Sequence, residues 1–189
     1  MPSFTVHLDR RYQVAGVHSA GVTTWTLPIA DAAVDTIVIG EGGGSNSGLV
    51  ITSGITVGVS GKTFSVTGNY GGYESILGVA FDMQVDLAVP FPKSQQNNPE
   101  LKPWRQVRYV DIAYHRSAGF LVQSAMSGRA TRTWTLADPA AGTAESSDVF
   151  RANCNGNADG QVISILSSSP KRVCVVSATF QMDVNTRRD

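Results

Sequence analysis

Charge is scarce in this chain. Only 16% of its 189 residues are Asp, Glu, Lys or Arg, against about 25% in typical soluble domains. A surface short of charge favours contact with other chains over free solvation. Cysteine is scarcer still. Cys154 and Cys174 are the only two, with no CxxC and no Cys/His cluster at zinc spacing, so a disulfide scaffold and a zinc module are both excluded. Both thiols are expected to be free. The three histidines, His7, His18 and His115, lie far apart. No apolar run approaches the ~18 residues of a membrane-spanning helix, and the opening MPSFTVHLDRR holds no run of signal-peptide type.

Hydrophobic residues make up 42% of the chain, a globular composition. The length suits one large all-β domain or two small ones, with enough residues to bury a core unaided. Net charge is zero but unevenly spread. Residues 1–92 hold three Lys/Arg against seven Asp/Glu, a net of −4, and residues 93–189 hold twelve against eight, a net of +4. Halves of opposite sign could pair head to tail between copies, although exposed charges more commonly just solvate a face.

Helical periodicity is almost missing; two-residue alternation is everywhere. SFTVHL (Ser3–Leu8), TTWTLPI (Thr23–Ile29) and DTIVIG (Asp35–Gly40) predict strands. EGGGSNSG predicts a loop, and LVITSG, ITVGVSG and KTFSVTG, each closed by glycine, predict a meander of tight hairpins. ESILGVAFDMQVDLAVPF (Glu74–Phe91) predicts one long half-buried strand, stopped by Pro90 and Pro92. KSQQNNPELKPWR (Lys93–Arg105) predicts an exposed loop. QVRYVDIAY is apolar on both faces and predicts a central strand, with a hairpin through Arg116-Ser117-Ala118-Gly119 to GFLVQSAMSG. In that turn Gly119 is expected at positive φ, so that Gly119→Val would be costly. TRTWTLAD, DVFRANCNG, QVISILSSS and RVCVVSATFQMDV complete the set, and NTRRD is a polar tail. The fold class expected is all-β: an antiparallel β-sandwich over residues 74–189, preceded by a small glycine-rich β-meander subdomain over residues 1–73.

No constellation converges on catalysis. His115 reads as a turn residue. Asp82 and Asp86, four apart on one strand, would stand about 13–14 Å apart, too far for a shared metal or a glycosidase pair; Asp111 could join one only across a sheet. The glycine loop lacks the GK[ST] ending of a phosphate loop. GNADG (Gly156–Gly160) fails the calcium-loop pattern and reads as a β-turn. Arg129 and Arg132 near Trp134 could stack on nucleic acid, but without a basic run an Arg–Trp contact on a sheet face fits better. Trp25 and Trp134 sit in matching strings and read as core; Trp104, in the proline-rich loop, is the tryptophan placed to meet a partner. Trp104, Arg105 and Arg116 are the candidate partner contacts. No metal, no cofactor and no enzymatic activity are expected.

The order VHLDRRYQVAGV, TTWTLPIADAAVDTIVI, ILGVAFDMQVDL, QVRYVDIAYHRSAGFLVQ and the closing SSSPKRVCVVSATFQMDV resembles the carboxy-terminal part of the tail nozzle proteins (tail tubular protein B) of short-tailed bacteriophages. The resemblance rests on Leu77-Gly78, on Tyr114 to Phe120, and on Ser169-Pro170 with Ser177-Ala178-Thr179-Phe180. His115-Arg116-Ser117-Ala118 departs from the family's more acidic turn. Nozzle chains usually run to several hundred residues, so the resemblance implies a separately encoded tail component or a piece of a longer chain. It implies a structural protein of the virion tail, made in the host bacterial cytoplasm. It further implies a homo-oligomeric ring, expected to be a hexamer, below portal and adaptor, with adaptor or fibre proteins as neighbours and DNA passing non-specifically through the lumen. A receptor- or carbohydrate-binding module of a phage tail is the alternative.

Overall fold

The computed structural model describes residues 8–40, 44–90 and 104–185. The expected strand Ser3–Leu8 (but for Leu8), the loop Lys93–Arg105 up to Pro103, and the tail after Asn185 lie outside the described residues. The chain divides into two compact units: residues 1–82 with 138–146 and 168–172, and residues 83–137 with 147–167 and 173–189. Both are built from antiparallel strands, with two short 3-10 turns among the described residues. The all-β class expected from alternation is the class observed.

The first unit holds β1 (Asp9–Ala15), β2 (Val17–Ser19), β3 (Val22–Thr26), β4 (Thr36–Ile39), β5 (Val50–Ile51), β6 (Thr56–Val57), β7 (Thr63–Thr67) and β8 (Glu74–Val79). They form two four-stranded sheets, ordered β1-β8-β4-β5 and β2-β3-β7-β6. Alternate residues turn inward from both sheets. Trp25 and Phe64, opposite each other on β3 and β7, pack with Leu27, Ile37, Ile39 and Leu77 in one core. Val38, on the other face of β4, is also fully buried and packs with Leu8. The three glycine-punctuated segments are therefore not one meander. Only β6 and β7 pair as expected, whereas β5 closes a hairpin with β4. Period-two alternation identifies a strand but leaves its neighbour open.

The second unit holds β9 (Met83–Leu87), β10 (Trp104–Ser117), β11 (Phe120–Met126), β12 (Arg132–Leu136), β13 (Ser146–Ala152), β14 (Gly156–Asn157), β15 (Gln161–Ser167) and β16 (Val175–Asn185). One sheet runs β12-β11-β15-β9; in the other β10 is central, flanked by β13 and β14 and by β16. Val107, Val110, Ile112 and Tyr114 of β10 share a core with Phe120 and Val122 of β11 and Ile163 and Ile165 of β15. This is the two-sheet arrangement expected of a β-sandwich.

The structure departs from the expected strand plan at three places. The stretch Glu74–Phe91 is two strands, β8 and β9, with different partners, β1 and β4 for the first and β15 for the second. β10 and β11 are not a hairpin: β10 pairs β16 while β11 pairs β12 and β15, so Ala118 and Gly119 carry the chain from one sheet to the other. The left-handed residue at that corner is Arg116 (φ 44°), and Gly119 is not among the residues of positive φ.

β10 also breaks strict alternation. Val107 would face away from Val110, Ile112 and Tyr114, yet all four are buried. The pairing with β16 slips between Val107 and Tyr109, so Arg108 is an extra, bulged residue that resets the phase. Such a bulge leaves no mark in hydropathy beyond one misplaced apolar position.

Candidate functional site

The sheet built on β10 presents a face of fixed charges. With Val110, Ile112 and Tyr114 turned into the core, Tyr109 and Asp111 stand on the other side. Arg151 of β13 reaches Asp111 with a two-pronged contact: Nε donates to Oδ1 at 2.7 Å and Nη2 to Oδ2 at 2.8 Å. Its guanidinium lies 4.0 Å from the centre of the Tyr109 ring. These bonds hold the Asp111 carboxyl below its ordinary range and the Arg151 guanidinium above its own. On the far edge the bulged Arg108 donates through Nε to Asp183 Oδ2 at 2.5 Å, which raises the Arg108 guanidinium. The Arg151 and Asp111 side chains are 55% and 22% exposed, so solvent screens the pair and it adds little stability. Its effect is geometric, since planar forks fix charges in direction as well as place. Such a face can recognise a complementary charged surface; it offers no proton shuttle or nucleophile.

The three candidate contact residues lie at the ends of β10. Trp104 opens the strand, its backbone opposite Asn185; its side chain lies outside the described residues. The Arg105 side chain is only 5% exposed and is ion-paired with Asp159, itself 57% exposed. Asp159 belongs to the 3-10 turn Ala158–Gly160, where Asn157 caps by accepting from the Asp159 N–H at 3.2 Å. GNADG thus forms a short strand and a 3-10 turn whose carboxylate answers an arginine. Arg116, at the other end, is exposed. Its N–H donates to Ser147 Oγ at 2.9 Å, and Ser147 Oγ lies 3.0 Å from His115 Nδ1. Arg105 and Arg116 are therefore not one cluster.

His18 and Asp86 each have partners of their own. His18 Nδ1 lies 3.3 Å from Thr23 Oγ1. Asp86 accepts from Ser164 Oγ at 2.6 Å and from Gln84 Nε2 at 3.0 Å, which holds its carboxyl below the usual range. Among the described residues no three His, Cys, Asp or Glu side chains come together as a metal set. Both cysteines are free thiols, and burial pushes Cys154 up to about 11, so it stays a neutral thiol at neutral pH. Trp25 is fully buried and Trp134 packs against the second unit's core, as their matching strings predicted. Asp159, Arg151 and Asp183 escaped sequence reasoning. Each is a charged residue whose partner is distant in sequence, and only strand order brings the two together.

The model of the bacteriophage nozzle protein family matches residues 2–189, so the match takes in both units. No curated protein matches the chain.

Proposed function

The chain belongs to the bacteriophage nozzle protein family, and on that premise we propose that it is a non-enzymatic subunit of an oligomeric ring around the DNA exit channel of a phage tail. It is a structural component of the virion tail. The observation that carries the finer reading is the extent of the family match, essentially the whole chain. The sequence supports it through its low charge and its halves of net −4 and +4. A ring contact joins two different patches and closes by rotation, which opposite-sign halves would suit. The oriented ion pairs beside β10 give a surface of the kind that fixes register between copies.

In this ring, proposed to hold six copies, the contacts are made around the ends of β10. Trp104 and Arg116 would meet a neighbour directly, and Arg105 would act by holding Asp159. Adaptor or fibre proteins would bound the ring, and DNA would touch the lumen without sequence preference. With Trp25 and Trp134 both packed inward, neither provides a sugar platform, so a carbohydrate-binding module in place of the ring subunit would have to rest on Trp104.

The test is mass in solution across concentration, by light scattering after size exclusion, followed by negative-stain imaging. Six chains of 20.0 kDa form a species of about 120 kDa, seen as rings. A monomer at every concentration overturns the self-assembling ring. Rising salt should shift a charge-paired ring toward monomer; a ring indifferent to salt would remove charge pairing as its basis.

A further inference from the structure

The inward face of the second unit does not stay apolar to its end. On β11 the inward positions run Phe120, Val122, Ser124; opposite them β12 places Leu136, Trp134 and Arg132. On β15 the inward run Ile165, Ile163 ends in Gln161. Three adjacent strands thus bring polar residues to the same end of the sheet, beside Met126, the last inward residue of β11, opposite Gln161. A cleft of about 380 Å³ opens there, whose polar wall is Ser124, Arg129, Arg132, Asn155 and Gln161 and whose apolar wall includes Met126. That is within the roughly 300–1,000 Å³ of small-molecule sites.

The chemistry of the cleft is specific. Gln161 is 7% exposed, and its Nε2 donates to Ser124 Oγ at 2.6 Å. Its Oε1 is buried and has no hydrogen-bond partner, a costly state if left so. Gly156 leaves room for this amide, since a Cβ there would stand 2.7 Å from it. The Arg132 charge is close enough to act on the Cys154 thiol, and Arg129 stands in the turn that joins β11 to β12, its N–H donating to Met126 O at 3.1 Å. Polar residues at inward-facing positions break the pattern that folds a sheet. Such breaks concentrate where function demands them.

We propose that this cleft binds a small hydroxylated oxyanion, a phosphorylated or carboxylated sugar or polyol. Arg132 and Arg129 hold the anionic group. A ligand hydroxyl, which both donates and accepts, completes the Gln161 amide after a small adjustment of that side chain. The site lies within one chain and does not depend on ring formation.

Isothermal titration calorimetry on the full chain tests this with glucose 1-phosphate and gluconate as probes, and glucose and inorganic phosphate as half-ligand controls. Both probes should bind saturably at one site, phosphate roughly tenfold or more weaker, and glucose not measurably. Arg132→Gln should weaken binding about tenfold or more, as expected for loss of a charge-assisted hydrogen bond. Gln161→Glu, of equal size, should abolish it by placing a like charge in the cleft. In amide NMR spectra the Gln161 side-chain NH2 should shift with the probes in the wild type. No saturable binding of either probe, or equal binding by wild type and a folded Arg132→Gln, overturns the proposal. Phosphate and glucose 1-phosphate binding alike would reduce the site to a bare anion contact and overturn the hydroxyl-specific part.

Discussion

Four described residues other than glycine hold a positive φ: Arg10, Ala20, Arg116 and Asn155. Ala20 has the plainest consequence. It precedes Gly21 (φ 81°) in the two-residue turn of the β2–β3 hairpin, where Ser19 faces Val22. Two consecutive left-handed residues make a type I′ turn, for which Asn-Gly is the favoured pair. Ala20→Asn should stabilise the chain by about 0.5–1 kcal/mol, read as a higher thermal midpoint; an unchanged or lower one contradicts the turn assignment. Cys154 makes a second prediction. With its thiol buried and pushed up to about 11, it should resist iodoacetamide at neutral pH in the folded chain and react once guanidinium unfolds it. Labelling of Cys154 in the native state, located by peptide mass, would show that the core opens there.

At the scale of elements, strands were legible and their partners were not. TRTWTLAD and QVISILSSS fall on observed strands because they alternate, and DTIVIG does because its β-branched run suits a strand buried on both faces. The apolar runs on both faces of QVRYVDIAY correctly placed β10 in the middle of a sheet. Its supposed hairpin with β11 failed, since a short link serves a sheet-to-sheet crossing as well as a turn. The contact residues fared similarly: nothing local to Arg105 announces that it is buried against Asp159. The β10–β13 pairing also yields a pH dependence. Arg151 holds the Asp111 carboxyl below its ordinary value of 3.8, so the folded chain binds that proton less readily than the unfolded one. The stabilisation is then complete above the unfolded value and is lost as pH falls through the folded one. The stability gap between wild type and Asp111→Asn should be flat from about pH 7 to 5 and shrink below about pH 4, as measured by urea melts. A gap that widens on acidification would show that the fork does not carry the effect.

On the scale of the whole molecule, each unit has its own core. Trp25, Ile37 and Phe64 anchor the first, and Val110, Ile112 and Ile163 the second. Trp25→Ala and Ile112→Ala should each cost about 2–5 kcal/mol, and in scanning calorimetry each should lower a different transition. A single transition lowered equally by both would mean that the two cores melt as one. The first unit, however, is not a contiguous stretch of chain. It also takes in residues 138–146 and 168–172, where Gly142 N–H donates to Ser47 O at 2.7 Å and Lys171 Nζ to Pro139 O at 3.1 Å. This sets an order of events during synthesis. A ribosome adding about 5–20 residues per second delivers β1 to β8 several seconds before the last of these segments. The amino-terminal unit must wait, incomplete, until residue 172 has emerged, and the second unit still lacks β16 at that point, so both units finish folding only as the last fifth of the chain is delivered.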